Sequence, residues 1–339
     1  MGCRQLYEQQ NQNNSSGNSG ISQFPVGDHM SLIVAALGGN AIIKPGQKGT
    51  IREQFDNTFE SMGYIAHLIM AGHRVVLTHG NGPQVGFIMI QVEAAIGKAP
   101  YMPLNIDVAQ SQGSMGYMIA QSLKNQLKDH HLDTNVTAVM TQVRVDPDDP
   151  AFKHPTKPVG PFYDIERIKD FEKIGHIMVE DSGRGWRRVV PSPKPVEIIE
   201  AGIIKDLIRD GVIVVACGGG GIPVIEEEGD IRGVDAVIDK DLVSSMLATE
   251  IRADVVMFLT TVDKVSLNYN SDRQHDLDSL TIQDARHYLG EGQFPQGSMG
   301  PKIEAAIEFV ENGGDKAIVC RPEAAIEALE GRAGTVIFK

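Results

Sequence analysis

Residues 211–224 read GVIVVACGGGGIPV, an apolar run that stops abruptly at four consecutive glycines, Gly218 to Gly221. The run from Gly211 to Cys217 reads as a buried strand. Bare backbone amides just beyond a strand end approach a phosphate more closely than any other protein group. The arrangement occurs three times, because Leu32–Leu37 runs into Gly38-Gly39-Asn40 and Arg74–His79 into Gly80-Asn81-Gly82. Ligands of open α/β sheets bind outside the carboxyl ends of the strands. Three such junctions predict an α/β fold with one small anionic site, assembled from parts far apart in sequence.

Composition narrows the partners. A net charge of −13 over 339 residues argues against a general nucleic-acid or polyanion binder, so a phosphate site must be locally positive on an acidic background. Hydrophobic residues at 42% and charged residues at 22% describe an ordinary soluble globular protein. Cys3, Cys217 and Cys320 offer neither a disulfide framework nor zinc spacing, which points to a reducing cytoplasm with Cys217 and Cys320 as buried free thiols. No apolar run reaches membrane-spanning length. Residues 1–29 are rich in Gln, Asn, Ser and Gly, Asp28-His29-Met30 resembles a cloning junction, and the segment is excluded from the fold as a disordered tail.

Phe55, Phe59, Met62, Ala66 and Ile69 recur at helical spacing and predict a helix stopped by Gly72. Pro83 predicts the start of another, with its amides facing the Gly80-Asn81-Gly82 loop. Gly80, Gly82 and Gly86 also resemble a dinucleotide-binding glycine pattern. Pro83 interrupts it, however, and Asp107 lies in a proline-rich loop rather than at the end of a second strand. The GxxxxGK[ST] pattern is absent. Asp107–Gln126 reads as a helix whose small residues, Ser111 to Gly116, imply close helix packing, and Asn135–Val145 as a strand.

From Asp146 to Pro195 prolines crowd and basic residues cluster at Arg184, Arg187 and Arg188. That stretch is too long for a bare loop and reads as a small inserted subdomain or lid. Pro155 and Pro158 stiffen the chain around Lys157, which is either a presented ammonium or a solvated surface lysine. Glu197–Arg209 reads as a helix and Glu226–Asp230 as a hairpin tip. Asp239 is an N-cap candidate. Lys240 then falls in a helix's first turn, where a cation opposes the dipole, and Lys302 after Pro301 repeats the oddity. A bound anion resolves both; solvated heads on aliphatic stems are the other reading. Asp254–Thr260 reads as a buried strand, with Thr261, Val262, Val265 and Tyr269 after it able to flank an adenine ring or merely to pack a loop. Lys316–Lys339 reads as strand, helix and strand.

Together, ALGGNA (36–41), HGNGPQVG (79–86), SQGSMGY (111–117), DPAFKHPTKPVGPFY (149–163), GRGWRRVVPSPKP (183–195), GGGGIPV (218–224), GVDAVIDKD (233–241) and GSMGPK (297–302) resemble the amino-acid kinase family. The PTKPVG and PSPKP segments are similar to those of its carbamate kinases. The resemblance covers residues 31–339. It implies an αβα sandwich with a mainly parallel central sheet and a small protruding subdomain. The expected organisation is one domain over 30–339, with a carbamate/phosphoryl-side lobe (30–145), the lid (146–195) and a nucleotide-side lobe (196–339).

The resemblance also implies a cytoplasmic homodimer catalysing ATP + carbamate = ADP + carbamoyl phosphate, often run towards ATP in arginine or allantoin-type breakdown. Carbamate is already an anion, so the chemistry asks for positioning and charge neutralisation rather than a strong base. By resemblance Lys157, Lys240 and Lys302 supply positive charge and Asp239 orients lysines. Gly38, Gly39, Asn40, Gly80, Asn81, Gly82, Gly219 and Gly220 cradle phosphoryl and carbamate oxygens. Gly218, Asp239, Lys240, Thr261, Val262, Val265, Tyr269, Gly297, Ser298, Met299 and Lys302 form the nucleotide side. Mg2+ is expected to arrive with ATP or ADP, held by phosphates and water rather than by a protein metal site. Another small-acid kinase of this fold, such as one for N-acetylglutamate, and a catalytically silent sensor are the competing functions.

Overall fold

The structure, a computed structural model, describes residues 30–339 except 45, 174, 181–184 and 296. The tail expected over 1–29 and Arg184 lie outside the described residues. Strand β1 (Leu32–Leu37), helix α1 (Ile51–Met70), β2 (Arg74–His79), α2 (Gly82–Ala94) and α3 (Leu104–Asp129) open the chain. Then come β3 (Val136–Ala138), β4 (Gln142–Val145), β5 (Lys157–Tyr163), α4 (Ile165–Lys173), β6 (Ile177–Glu180), β7 (Trp186–Val190) and β8 (Pro195–Ile198). The second half holds α5 (Ala201–Arg209), β9 (Ile213–Val215), β10 (Ile222–Glu227), β11 (Asp230–Gly233), α6 (Lys240–Glu250) and β12 (Val255–Leu259). It ends with β13 (Val265–Leu267), β14 (His275–Leu277), β15 (Ser279–Thr281), α7 (Ile282–Gly290), α8 (Met299–Glu311), β16 (Lys316–Cys320), α9 (Ala325–Leu329) and β17 (Thr335–Phe338).

The main sheet runs β15-β17-β16-β12-β1-β2-β9-β3 and is parallel throughout except for the β16–β17 pair. All six residues of β1 are buried, as a strand covered on both faces requires. Period-two alternation divides them between two cores. Val34 and Ala36 join Val256, Phe258 and the apolar faces of α5, α6, α7 and α8. Ile33, Ala35 and Leu37 join Met257 and the faces of α1, α3 and α9. This is the expected αβα sandwich. Truncating a wholly buried residue such as Phe258 to alanine costs about 3–5 kcal/mol. No helix among the described residues is long and apolar enough to cross a membrane.

Three smaller sheets accompany this body. One, β11-β10-β4-β8, packs near α3; a second, β5-β7-β6, is antiparallel and lies wholly within 146–195; the third is the antiparallel pair β13-β14.

Several elements differ from the sequence expectation. The apolar run 135–145 breaks into β3 and β4, because the chain leaves the main sheet at Val139–Thr141 to join the second one. Gln112 holds the buried backbone there, accepting from Thr141 N at 2.9 Å and donating to Thr141 O at 3.1 Å. The glycine strand shortens to Ile213–Val215, since Cys217 already turns into the left-handed region at φ 53°. Residues 195–198 form β8 against β4, so the helix expected from Glu197 starts at Ala201. Along α1, Phe55, Phe59 and Ile69 are only half-buried. The face turned inward includes Gln54, Asn57, Thr58 and Ser61, whose side chains bond backbone of the preceding loop or helix.

Candidate active site

β1, β2 and β9 are adjacent parallel strands, so their three glycine loops emerge side by side at one sheet edge. The loops touch. A Cβ on Gly80 would lie 3.6 Å from Gly39 N and 3.5 Å from Lys240 Cδ. One on Gly219 would lie 2.0 Å from Asn81 Nδ2. Gly220 has φ +90°, and a Cβ there would come within 2.2 Å of Ile238 O, so only glycine fits against the loop that leads into α6.

Polar side chains brace this cradle from behind. Asn81 donates to Ser111 Oγ at 2.8 Å, and Gln112 donates to Gly218 O at 2.9 Å. Ser111 and Gln112 therefore do more than allow close packing, a role that falls to Gly116 against Ala138. His79 is fully buried, with Nδ1 3.1 Å from Gly80 O and Nε2 facing Gly218. Burial pulls its pKa down to about 4, and Lys240 acts in the same direction, so the imidazole is a neutral wedge between two loops. Thr78 and Ser244 share a 2.6 Å hydrogen bond, and Ser244 donates to Lys240 O at 2.6 Å, tying β2 to the first turn of α6.

Three lysines from three separate elements meet here. Lys157, at the start of β5, places Nζ 3.0 Å from Asp239 Oδ2. Asp239 caps α6, its other oxygen accepting from Asp241 N at 2.9 Å. Lys240 Nζ lies 2.5 Å from Asp241 Oδ1, and Lys302 Nζ, from the first turns of α8, 2.9 Å from Asp241 Oδ2. The helix-start lysines thus face a carboxylate, not only solvent. Burial would raise the Asp241 carboxyl, but the two ammonium groups outweigh it and hold it below the usual range. Burial lowers the Lys240 pKa, with Asp241 opposing and Lys302 reinforcing that shift. Sequence reasoning left Asp241 without a role. Its one signal is a second acid directly after a lysine that already sits badly in a helix start.

Three cations against two carboxylates leave the site locally positive in a chain of net charge −13. A cavity of about 190 Å³ is lined by Gly80, Asn81 and Gly82, by Gly219, by Lys157 and Arg187 of the inserted segment, and by Asp239 and Lys240. Thr261, Val262, Tyr269, Gly297, Ser298 and Met299 do not line it. Tyr269 is 58% exposed, while Val265 is buried in the core with its amide on Thr335 Oγ1. Gly39 reaches the cavity through Gly80 and Lys302 through Asp241, while Gly38 packs against Leu259 O. Among the described residues no group of three or more His, Cys, Asp or Glu is arranged to hold a metal ion.

The pattern of the amino acid kinase family matches residues 31–321. A carbamate kinase of Pyrococcus furiosus is 50% identical over 311 residues, covering 90% of this chain and 98% of the relative. One from Thermococcus kodakarensis is 48% identical over 314 residues, covering 91% and 100%. The structure of Giardia lamblia carbamate kinase bound to AMP-PNP superposes with a TM-score of 0.87 at 44% identity, covering 91% of this chain and 99% of that one. A Neisseria gonorrhoeae N-acetylglutamate synthase, at 15% identity and TM-score 0.55, shares the fold alone. Sequence, fold and the lysine-lined glycine cradle agree that the chain belongs to the amino acid kinase family, on its carbamate kinase branch.

Proposed function

We propose that the chain is a carbamate kinase, catalysing the reversible transfer of a phosphoryl group between ATP and carbamate. The observation that carries this reading is the convergence of Lys157, Lys240 and Lys302 on Asp239 and Asp241 beside three glycine loops. A carbamate oxygen already bears charge, so attack on the γ-phosphorus releases no proton that a base must take. The residues' task is to hold nucleophile and phosphorus in line and to neutralise charge on the transferred oxygens. Lys240 and Lys302 release charge from the shared Asp241 towards the phosphoryl group. Lys157 adds its charge from β5 of the inserted segment, and backbone amides of the Gly80–Gly82 and Gly219–Gly220 loops receive oxygens. Asp239 and Asp241 orient the ammonium groups.

Asp239 and Asp241 are both engaged by lysines, so a magnesium ion arriving with the nucleotide would be held by phosphate oxygens and water and would supply further charge neutralisation. The adenine side is read as the Thr261–Tyr269 loop with Gly297–Met299, and residues 146–195 as a lid that brings Lys157 to the site. A homodimer is proposed through the outer face of α1, α2 and α3, where Ile51, Phe87 and Ile90 are exposed around a hollow of about 470 Å³ and Tyr117 is exposed on α3. The buried free thiols Cys217 and Cys320 favour a reducing cytoplasm, and net flux is read as ATP formation in arginine or allantoin-type catabolism.

The test is ATP formation from ADP and carbamoyl phosphate, with and without magnesium. Magnesium-dependent ATP production is expected. Absence of ATP from folded protein, together with phosphorylation of N-acetylglutamate, would reassign the acceptor.

A further inference from the structure

The lid meets the body at an ionic contact that the reaction scheme does not use. Arg188 lies on β7, opposite Val159 of β5, two positions along from the Lys157–Val190 pair. Its side chain is 11% exposed, and Nη2 stands 3.6 Å from Asp235 Oδ2. Asp235 belongs to the loop 234–239 that ends in Asp239 and leads into Lys240. Its other oxygen accepts from Leu104 N at 3.0 Å, at the start of α3. Gly233, the last residue of β11, abuts Asn105, and Val237 N donates to Pro191 O at 3.0 Å, directly after β7. Asp107 of α3 is buried within electrostatic reach of both Arg188 and Asp235. Beside this contact Val159 and Val190 pack with Val85, Leu104 and Val108.

A partly buried arginine–carboxylate pair is a weak stabiliser, because desolvation offsets its attraction; its well-attested use is to fix register. Here it joins the strand pair that carries Lys157 to the loop that carries Asp239. We propose that Arg188 is a positioning residue for the phosphoryl transfer. Held by Asp235, it sets the reach of β5 so that Lys157 meets Asp239 at the cavity. Lid and loop then move as one unit rather than independently. The Tyr163–Glu93 hydrogen bond of 2.5 Å secures the far end of β5 to α2, so Arg188 governs the end that bears the lysine.

The inference rests on the carbamate kinase reading, and its test separates the two. Arg188→Ala and Asp235→Asn are made in the parent and in Lys157→Ala, and ATP formation from carbamoyl phosphate is measured. In the parent background kcat falls about tenfold, as expected when a reacting group is misplaced by a fraction of an ångström. In the Lys157→Ala background the same change alters kcat by less than about twofold, because the group being positioned is gone. Amide exchange quickens across residues 157–163 of Arg188→Ala while α1 and α3 keep their protection. Equal losses in both backgrounds, or an unchanged kcat in the parent, overturn the proposal. If Arg188→Ala fails to fold, Asp235→Asn alone decides. A parent enzyme that makes no ATP refutes the reaction instead, and the exchange pattern then decides the positioning role by itself.

Discussion

Lys302 and Asp241 lie 61 positions apart and meet at 2.9 Å, while the other oxygen of that carboxylate is 2.5 Å from Lys240 Nζ. With 5% of its side chain exposed, Asp241 is the internal counter-charge for two ammonium groups. Asp241→Asn should therefore leave two largely buried ammonium groups without their shared counter-charge. The expected loss is about 3–5 kcal/mol of unfolding free energy, together with a fall in turnover of about 10²-fold or more. Urea unfolding alongside steady-state kinetics checks both; a variant as stable as the parent would show that the lysines find another acceptor.

Lys157 differs in kind, since a third of its side chain is exposed and it pairs with Asp239. Exposed pairs contribute about 0–1 kcal/mol, so Lys157→Ala should leave the melting temperature within about 2–3 °C of the parent. Turnover should nonetheless drop about 10²–10³-fold, as when one charge-stabilising donor is removed. Unchanged turnover would return Lys157 to the surface role that its sequence surroundings equally allow.

Space at Gly220 can be separated from backbone conformation at the same position. Gly220 and Gly229 have φ of +90° and +88°, but a Cβ meets Ile238 O at 2.2 Å in the first and nothing within 4 Å in the second. Gly229→Ala should cost about 1 kcal/mol, through conformation alone, and leave turnover as it was. Gly220→Ala should cost about 2–4 kcal/mol and also displace the loop before Asp239, lowering kcat. Thermal melts of both variants with kinetics decide it; equal effects would remove Ile238 from the explanation.

The strands that build the site were legible where an apolar run ends in glycine, and the bounds of β1 and β2 match that signal residue for residue. The break between β3 and β4 was not, because Val139–Thr141 continues a β-branched run and only Gln112, far along the chain, turns it aside. Lys240 and Lys302 stood out because each conflicts with a helix dipole. Asp241 did not, since an acid in a first turn is favourable and ordinarily solvated. Its burial comes from Lys302, a long-range contact that no local pattern encodes. His79 and Ser111 were hidden for the same reason, as both act through backbone or side chains of other loops.

The dependence of stability on pH should reveal two opposed buried groups. His79 titrates near 4 when folded against an ordinary 6.5, chiefly because burial disfavours the imidazolium. The unfolded chain thus takes the proton first, so stability is complete above pH 6.5 and declines as pH falls towards 4. Between pH 7 and pH 5 the loss from this group is about 2 kcal/mol. Asp107 runs the other way. Burial lifts its carboxyl to about 7, against the pull of Arg188, so the folded state binds its proton first and gains stability as pH falls below 7. The parent should accordingly show a shallow profile in this window. Asp107→Asn should steepen the decline towards pH 5, and His79→Gln should turn it into a rise. Urea unfolding of the three proteins at pH 7 and pH 5 provides the measurement, and parallel profiles would mean that neither group is buried in the charge state assigned to it.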